Sequence, residues 1–350
     1  MPSAESVRIA FVLLASVAAA AQTPRADLQA ARLSAAKQHL EQGKADLTIR
    51  ECKEALAADP RSAPAHMLLG LAYLSKGSTA MIADAKAELQ QALDVDPELL
   101  WARFYLARLY FDQGLPEKAQ DQLERGLKQS PGLPHFLSLL GEVRRQLGDP
   151  AASVELNRKA LAAGDTMTPA NYFLALAYLD LKEEPAAIAE LEKAIRSPYV
   201  TPETYNTLAS LYIKKQQFAA AEDLCRKAIA MDPSRPDAYL NLARVYNAQQ
   251  ASDKALQVLD AALPPGKDFP ATEYFRRLQA DLAVERGAAY TAKKMYAPAI
   301  AEYLRALDLD PRRAAIHRRL AELYRQKGDT AAAALHTKEA DKLETDKKQD

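Results

Sequence analysis

The chain has 350 residues, with 46 Lys and Arg against 46 Asp and Glu, and so carries a formal net charge of zero. Nucleic-acid binding demands a clear basic excess to meet phosphate, so the balance argues for no nucleic-acid partner. Two cysteines, Cys52 and Cys225, stand far apart in the sequence and read as small buried hydrophobes rather than a redox pair.

The first element differs from everything that follows. Ile9 to Ala21 is a run of thirteen apolar or small residues behind Arg8, with an A-x-A-like cut near Ala20 or Ala21. Residues 1–21 therefore read as a signal peptide, too short for the about 20 residues of a comfortable membrane span. The expected location is periplasmic or secreted. Because Glu5 offsets Arg8, an uncleaved anchor is the competing reading. Residues 22–28 are taken as a short linker.

From Gln29 onward, small residues recur at a spacing close to thirty-four. One slot holds Ala36, Gly70, Ala107, Gly141, Ala175, Ala209, Ala243, Gly287 and Ala321. A second holds Thr48, Ala85, Ala119, Ser153, Ala187, Ala221, Ala255, Ala299 and Ala333, and a third runs from Ala55 to Ala340. A period of this length marks a repeat architecture whose units stack into one continuous core. Nine units start near Gln29, Ala63, Leu100, Pro134, Thr168, Pro202, Pro236, Ala280 and Ala314.

Each unit reads as helix, tight turn, helix. In 202–234, Tyr205, Leu208, Ala209 and Tyr212 form one apolar stripe, and Phe218, Ala221, Leu224, Cys225 and Ala228 form a second. Asp232-Pro233 then stops the helix, as do Asp59-Pro60, Asp96-Pro97 and Asp310-Pro311. Gly43, Gly77, Gly114, Gly148 and Gly328 suit a turn with positive φ, where other units carry Lys182, Gln216, Gln250 and Lys294. Tyr73, Tyr110, Tyr178, Tyr212, Tyr246, Tyr290 and Tyr324 occupy a shared place before that turn, and read as core residues with the hydroxyl at the edge. Three units depart from the pattern. Three extra residues sit around Ser78–Ala83, Gly164-Asp165 replaces a closing proline, and an insertion near 264–279 precedes one lengthened helix over 271–293. Residues 341–350 are a polar tail suited to a solvated capping helix that frays.

This pattern resembles the tetratricopeptide repeat (TPR) family, whose unit has small residues at its eighth, twentieth and twenty-seventh places, a tyrosine at its eleventh and a closing proline. The resemblance covers about nine tenths of the chain. It implies an all-α, right-handed solenoid of tandem helix hairpins over 29–340, with the first helix of each unit lining a groove. It also implies a non-catalytic scaffold that binds a protein or peptide partner.

Within that frame, candidate anchors are large apolar groups in first helices: Trp101, Phe104, Tyr105, Phe111, Tyr172 and Phe173. The competing reading is that they fill gaps between neighbouring helices. Asn206, Asn241 and Arg244 are candidates for gripping a peptide backbone, since asparagine offers both donor and acceptor. Arg312, Arg313, Arg318, Arg319 and Arg325, with Lys327, form a basic patch suited to an acidic segment or anionic headgroups. Membrane contact would run through this patch or an uncleaved signal. The five histidines are scattered along the chain, no metal-ligand spacing or phosphate loop occurs, and no cofactor is expected. Self-assembly within an envelope complex and an accessory role in polysaccharide export or glycosyl transfer are the alternative functions.

Overall fold

A computed structural model describes residues 24–164, 169–262 and 272–346. These residues fall into two compact units that divide after Tyr199. The first contains α1 (Pro24–Glu41), α2 (Ala45–Ala58), α3 (Ala63–Lys76), α4 (Thr79–Val95), α5 (Leu100–Asp112), α6 (Pro116–Gln129), α7 (Pro134–Gln146), α8 (Pro150–Ala162), α9 (Ala170–Asp180) and α10 (Glu184–Ala194). The second contains α11 (Pro202–Lys214), α12 (Phe218–Met231), α13 (Pro236–Ala248), α14 (Ser252–Ala262), α15 (Glu273–Ala292), α16 (Tyr296–Leu309), α17 (Ala314–Gln326) and α18 (Thr330–Asp346). In each unit, successive helices pack as hairpins and each hairpin packs on the next, the all-α tandem-hairpin class that the repeat implies.

Local chemistry explains the boundaries. The Asp-Pro stops are extended residues whose carboxylates cap the following turn: Asp59 Oδ1 accepts from Arg61 N at 3.0 Å, Asp96 from Glu98 N at 3.0 Å and Asp232 from Ser234 N at 2.9 Å. Asp149 and Ser78 cap α8 and α4 by accepting from Ala152 N and Met81 N. Between paired helices the chain closes with two backbone bonds, such as Asp149 N to Arg144 O and Gly148 N to Arg145 O. That closure needs a left-handed residue. Lys182, Gln216, Gln250 and Lys294 adopt φ of 58 to 62° and make the same closure as Gly43, Gly114, Gly148 and Gly328. These turns therefore share one geometry although the residue differs.

One sequence boundary shifts. The first helix begins at Pro24, inside the segment read as a linker, because nothing in 24–28 breaks a helix once Pro24 has taken its first turn. The lengthened helix expected over 271–293 is α15, capped by Thr272 accepting from Phe275 N at 3.3 Å. The polar tail continues the last helix to Asp346, as a capping helix does. The signal segment, the Pro264-Pro265-Gly266 stretch and Asp165 lie outside the described residues.

The alanine ladder is the core. Ala36, Ala107, Ala175, Ala209 and Ala243 are fully buried, as are Ala85, Ala119, Ala187, Ala221, Ala255 and Ala299. Glycine replaces alanine where the facing side chain reaches too far. A Cβ on Gly141 would lie 2.4 Å from Asn157 Nδ2, one on Gly287 would lie 2.9 Å from the Tyr303 ring, and one on Gly126 would lie 2.1 Å from the Phe136 ring. The Asn157 node is fully bonded: Ser138 Oγ donates to Asn157 Oδ1 at 3.1 Å, and Asn157 Nδ2 donates to Ser153 O at 2.9 Å.

Cys52 and Cys225 are buried free thiols, and burial pushes both up to about 12. Folding therefore favours the neutral thiol. The two thiols contribute no pH dependence below the ordinary thiol value near 9, and they destabilise the fold as pH rises past it and the unfolded chain ionises first. Ellman's reagent at pH 8 is expected to titrate no thiol in the folded chain and two in denaturant. Rapid reaction under native conditions would contradict this burial.

Candidate functional site

The first helices of successive hairpins touch one another, α5 to α7 and α7 to α9 in one unit and α11 to α13 and α13 to α15 in the other. Contact along this row decides which of the candidate residues remain available to a partner.

In the first unit, Trp101, Phe111, Tyr172 and Phe173 are half-buried. Trp101 packs edge-on against Phe104 and His135, with ring centroids 5.7 and 5.4 Å away. Tyr172 and Phe173 lie 6.1 Å apart on α9. Phe104 and Tyr105, however, are only 7 % and 5 % exposed. They belong to the core: α7 brings Phe136 to 5.4 Å from Phe104, and the Tyr105 ring packs 5.6 Å from Phe104. The gap-filling alternative holds for these two residues. His135, pressed among Trp101 and Phe104, is depressed by burial below the ordinary histidine range.

A charged contact that the sequence did not single out sits on the same row. Glu142 of α7 is 4 % exposed and takes two hydrogen bonds of 2.8 Å from Arg145, which also donates to Asp180 of α9 at 2.8 Å. These hydrogen bonds raise the Arg145 guanidinium further.

In the second unit, the polar candidates bond to one another. Asn241 is 5 % exposed; its amide donates to Asn206 Oδ1 at 2.7 Å, and its Oδ1 accepts from Arg244 at 3.3 Å. Asn206 donates to Asp237 at 3.0 Å, and Arg244 reaches Asp281 and Glu285 at 3.4 Å. Asn247 continues the ladder to Glu285 Oε2 at 2.8 Å. Their donors and acceptors tie first helices together, so Asn241 in particular is not free to grip a peptide.

The basic patch is also largely internal. Arg313 binds Asp310 at 2.7 Å and pairs with Asp281, and Arg318 binds Glu344 at 2.6 Å and Asp341 at 3.2 Å. Arg319 donates to the Tyr303 hydroxyl at 3.2 Å, and Arg325 donates to Thr337 at 2.8 Å. The last hairpin also pairs two of the histidines that read as scattered. His317 and His336 face each other at 3.0 Å between Nδ1 atoms, and the Tyr324 ring stacks on His336. Burial and His317 together depress His336. Their nineteen-residue separation crosses the hairpin, a spacing that a search along one helix does not reach. Among the described residues, no group of three or more His, Cys, Asp or Glu could hold a metal ion, and no helix is long and apolar enough to cross a membrane.

Comparison with known proteins adds the family. Tetratricopeptide repeat models match residues 33–80, 81–143, 168–198 and 212–282, and a TPR repeat model matches 287–328. The chain is 26 % identical over 237 residues to cellulose synthase operon protein C of Pseudomonas fluorescens (strain SBW25), covering 62 % of this chain and 18 % of that protein. It is 26 % identical over 247 residues to a mitochondrial pentatricopeptide repeat-containing protein of Arabidopsis thaliana, covering 68 % of this chain and 38 % of that one. The chain thus spans well under half of each curated relative. In fold it resembles a chain of the APC/C hetero-tetramer Cut9–Hcn1, with a TM-score of 0.60, 17 % identity and coverage of 88 % and 72 %. It also resembles pilF of Pseudomonas aeruginosa, with a TM-score of 0.52, 18 % identity and coverage of 62 % and 97 %. The repeat ladder, the paired helices and the matched models agree, and the chain belongs to the tetratricopeptide repeat family.

Proposed function

We propose that this protein is a non-catalytic interaction scaffold, exported from the cytoplasm, that holds an extended or helical peptide of a partner protein on the first-helix face of its first unit. The observation that supports this reading is the set of aromatic rings left half-buried after the helices have packed: Trp101 and Phe111 on α5, Tyr172 and Phe173 on α9. Packing already restrains these rings, so a partner gains their apolar area with little further ordering. Crosslinking in the native envelope fraction, followed by identification of captured chains, tests the idea. Trp101→Ala and Tyr172→Ala are each expected to weaken capture by a factor of about five or more. Unchanged capture by variants with unchanged circular dichroism would sink the aromatic-face reading. Export is checked on the same material by N-terminal sequencing, with a mature end after Ala20 or Ala21 expected; a retained residues 1–21 would mean an uncleaved anchor.

A second reading, an accessory role in polysaccharide export, is supported by the similarity to cellulose synthase operon protein C. Here the same rings would stack on sugars. Retardation of the protein in gels containing soluble glucan, lost in Trp101→Ala, would favour this reading over peptide binding.

A further inference from the structure

The unit that begins at Val200 carries a groove of about 490 Å³ beside the start of α17. Val284, Ile316 and Leu343 supply apolar walls, and Arg312, Arg313 and Arg319 line it with charge. These cations are not equivalent. Arg313 is engaged by Asp281 and Asp310, and Glu344, the carboxylate in the lining, is held by Arg318. Arg319 bonds a neutral partner, the Tyr303 hydroxyl, and rests 5.9 Å from the centre of that ring. Glu285 and Glu322 act on Arg319 through space. Arg312 is exposed, and no ion pair engages its guanidinium among the described residues. The groove therefore pairs an apolar recess with two guanidinium groups that no carboxylate contacts directly.

We propose that this groove binds an acidic amphipathic peptide segment, with an apolar side chain seated against Val284, Ile316 and Leu343 and flanking carboxylates meeting Arg312 and Arg319. The proposal rests on the scaffold reading and adds a chemically different contact in the other unit. Charge complementarity selects the occupant, since guanidinium–carboxylate hydrogen bonds are charge-assisted and stronger than neutral ones. The concave shape selects a peptide over a bilayer, because a flat headgroup layer cannot send an apolar group into a recess of this size.

Fluorescence anisotropy of the full chain with a fluorescein-labelled peptide, Gly-Glu-Leu-Asp-Leu-Glu-Gly, tests it. Binding is expected to saturate, to weaken as salt rises, and to fall about tenfold in Arg312→Glu and in Arg319→Ala. Replacing the leucines of the peptide by serine, or its acids by lysine, is expected to weaken or abolish binding. Arg312 is exposed, so its variant folds normally and circular dichroism verifies this. Absence of saturable binding, equal affinity in a folded Arg312→Glu chain, or stronger association with phosphatidylglycerol vesicles than with the peptide would each overturn the assignment. Trp101→Ala is expected to bind this peptide as the parent chain does. Unchanged cellular capture by Trp101→Ala, with peptide binding intact, would count against the aromatic face alone.

Discussion

Replacing Phe136 with alanine is expected to lower the unfolding free energy of the first unit by about 3–5 kcal/mol, the range for removing a fully buried aromatic ring. Trp101 is the chain's one tryptophan and lies 5.4 Å from His135, the neighbour of Phe136, so urea unfolding followed by its fluorescence reads this unit directly. Gly126→Ala is expected to cost about 1–3 kcal/mol by the opposite fault, a methyl group forced into the Phe136 ring. The informative measurement is the double variant. The corresponding positions elsewhere hold Ala92 with Ala102 and Ala160 with Ala170, all fully buried. Combining Gly126→Ala with Phe136→Ala recreates that pairing, so the added methyl group partly fills the space the ring leaves. The pair should therefore be clearly less destabilised than the sum of the single variants. Additive losses would show that Gly126 is not glycine on account of Phe136.

Arg145→Ala is expected to destabilise the same unit by about 3–5 kcal/mol, because it strands the Glu142 carboxylate in a site that is 4 % exposed. Removing the partner costs more than the pair contributes, and this sets up a discriminating control. Glu142→Gln in the Arg145→Ala background replaces the stranded charge by a neutral amide and should recover much of the loss. Asp180→Ala removes only the more exposed of the two carboxylates that Arg145 bonds and should cost well under 1 kcal/mol. Equal losses for Arg145→Ala and Asp180→Ala would place the energy in the link between α7 and α9 instead of in the buried charge.

The fold was legible because its signal is redundant. A small residue is required wherever two helices approach closely, and the requirement repeats at each hairpin, so one ambiguous unit is corrected by its neighbours. Lys182, Gln216, Gln250 and Lys294 illustrate this: none advertises a left-handed turn, yet the register of the other units places one there. The candidate sites were much less legible. Periodicity within one helix identifies the face turned toward its own hairpin partner and says little about the face turned toward the next first helix. Phe104 and Tyr105 sit beside the apolar stripe and are buried, Phe104 against His135 and Phe136 of α7. Asn206 and Asn241 look like free amides until the thirty-five-residue offset between them is recognised as a contact. That offset was available in the sequence, since Arg145 and Asp180 share it and Trp101 meets His135 across thirty-four residues. Polar or aromatic residues one repeat apart in first helices therefore read as bonded pairs before they read as binding groups. The side chains of Arg319 and Tyr303 required the three-dimensional arrangement, because a hydroxyl partner leaves no charge pattern to detect.

The hydrogen bonds that join different helices bear on how the chain reaches its folded form. They connect residues from 12 apart, as in Thr48 to Ala36, to 41 apart, as in Arg244 to Glu285. Each interhelical bond named for either unit closes a loop within that window, so the entropy of loop closure is set by the length of a hairpin and not by the length of the chain. Such short-range topology favours fast assembly that can begin at any hairpin and spread to its neighbours. Under the proposed export, each hairpin closes as soon as it emerges, without waiting for the C-terminal end.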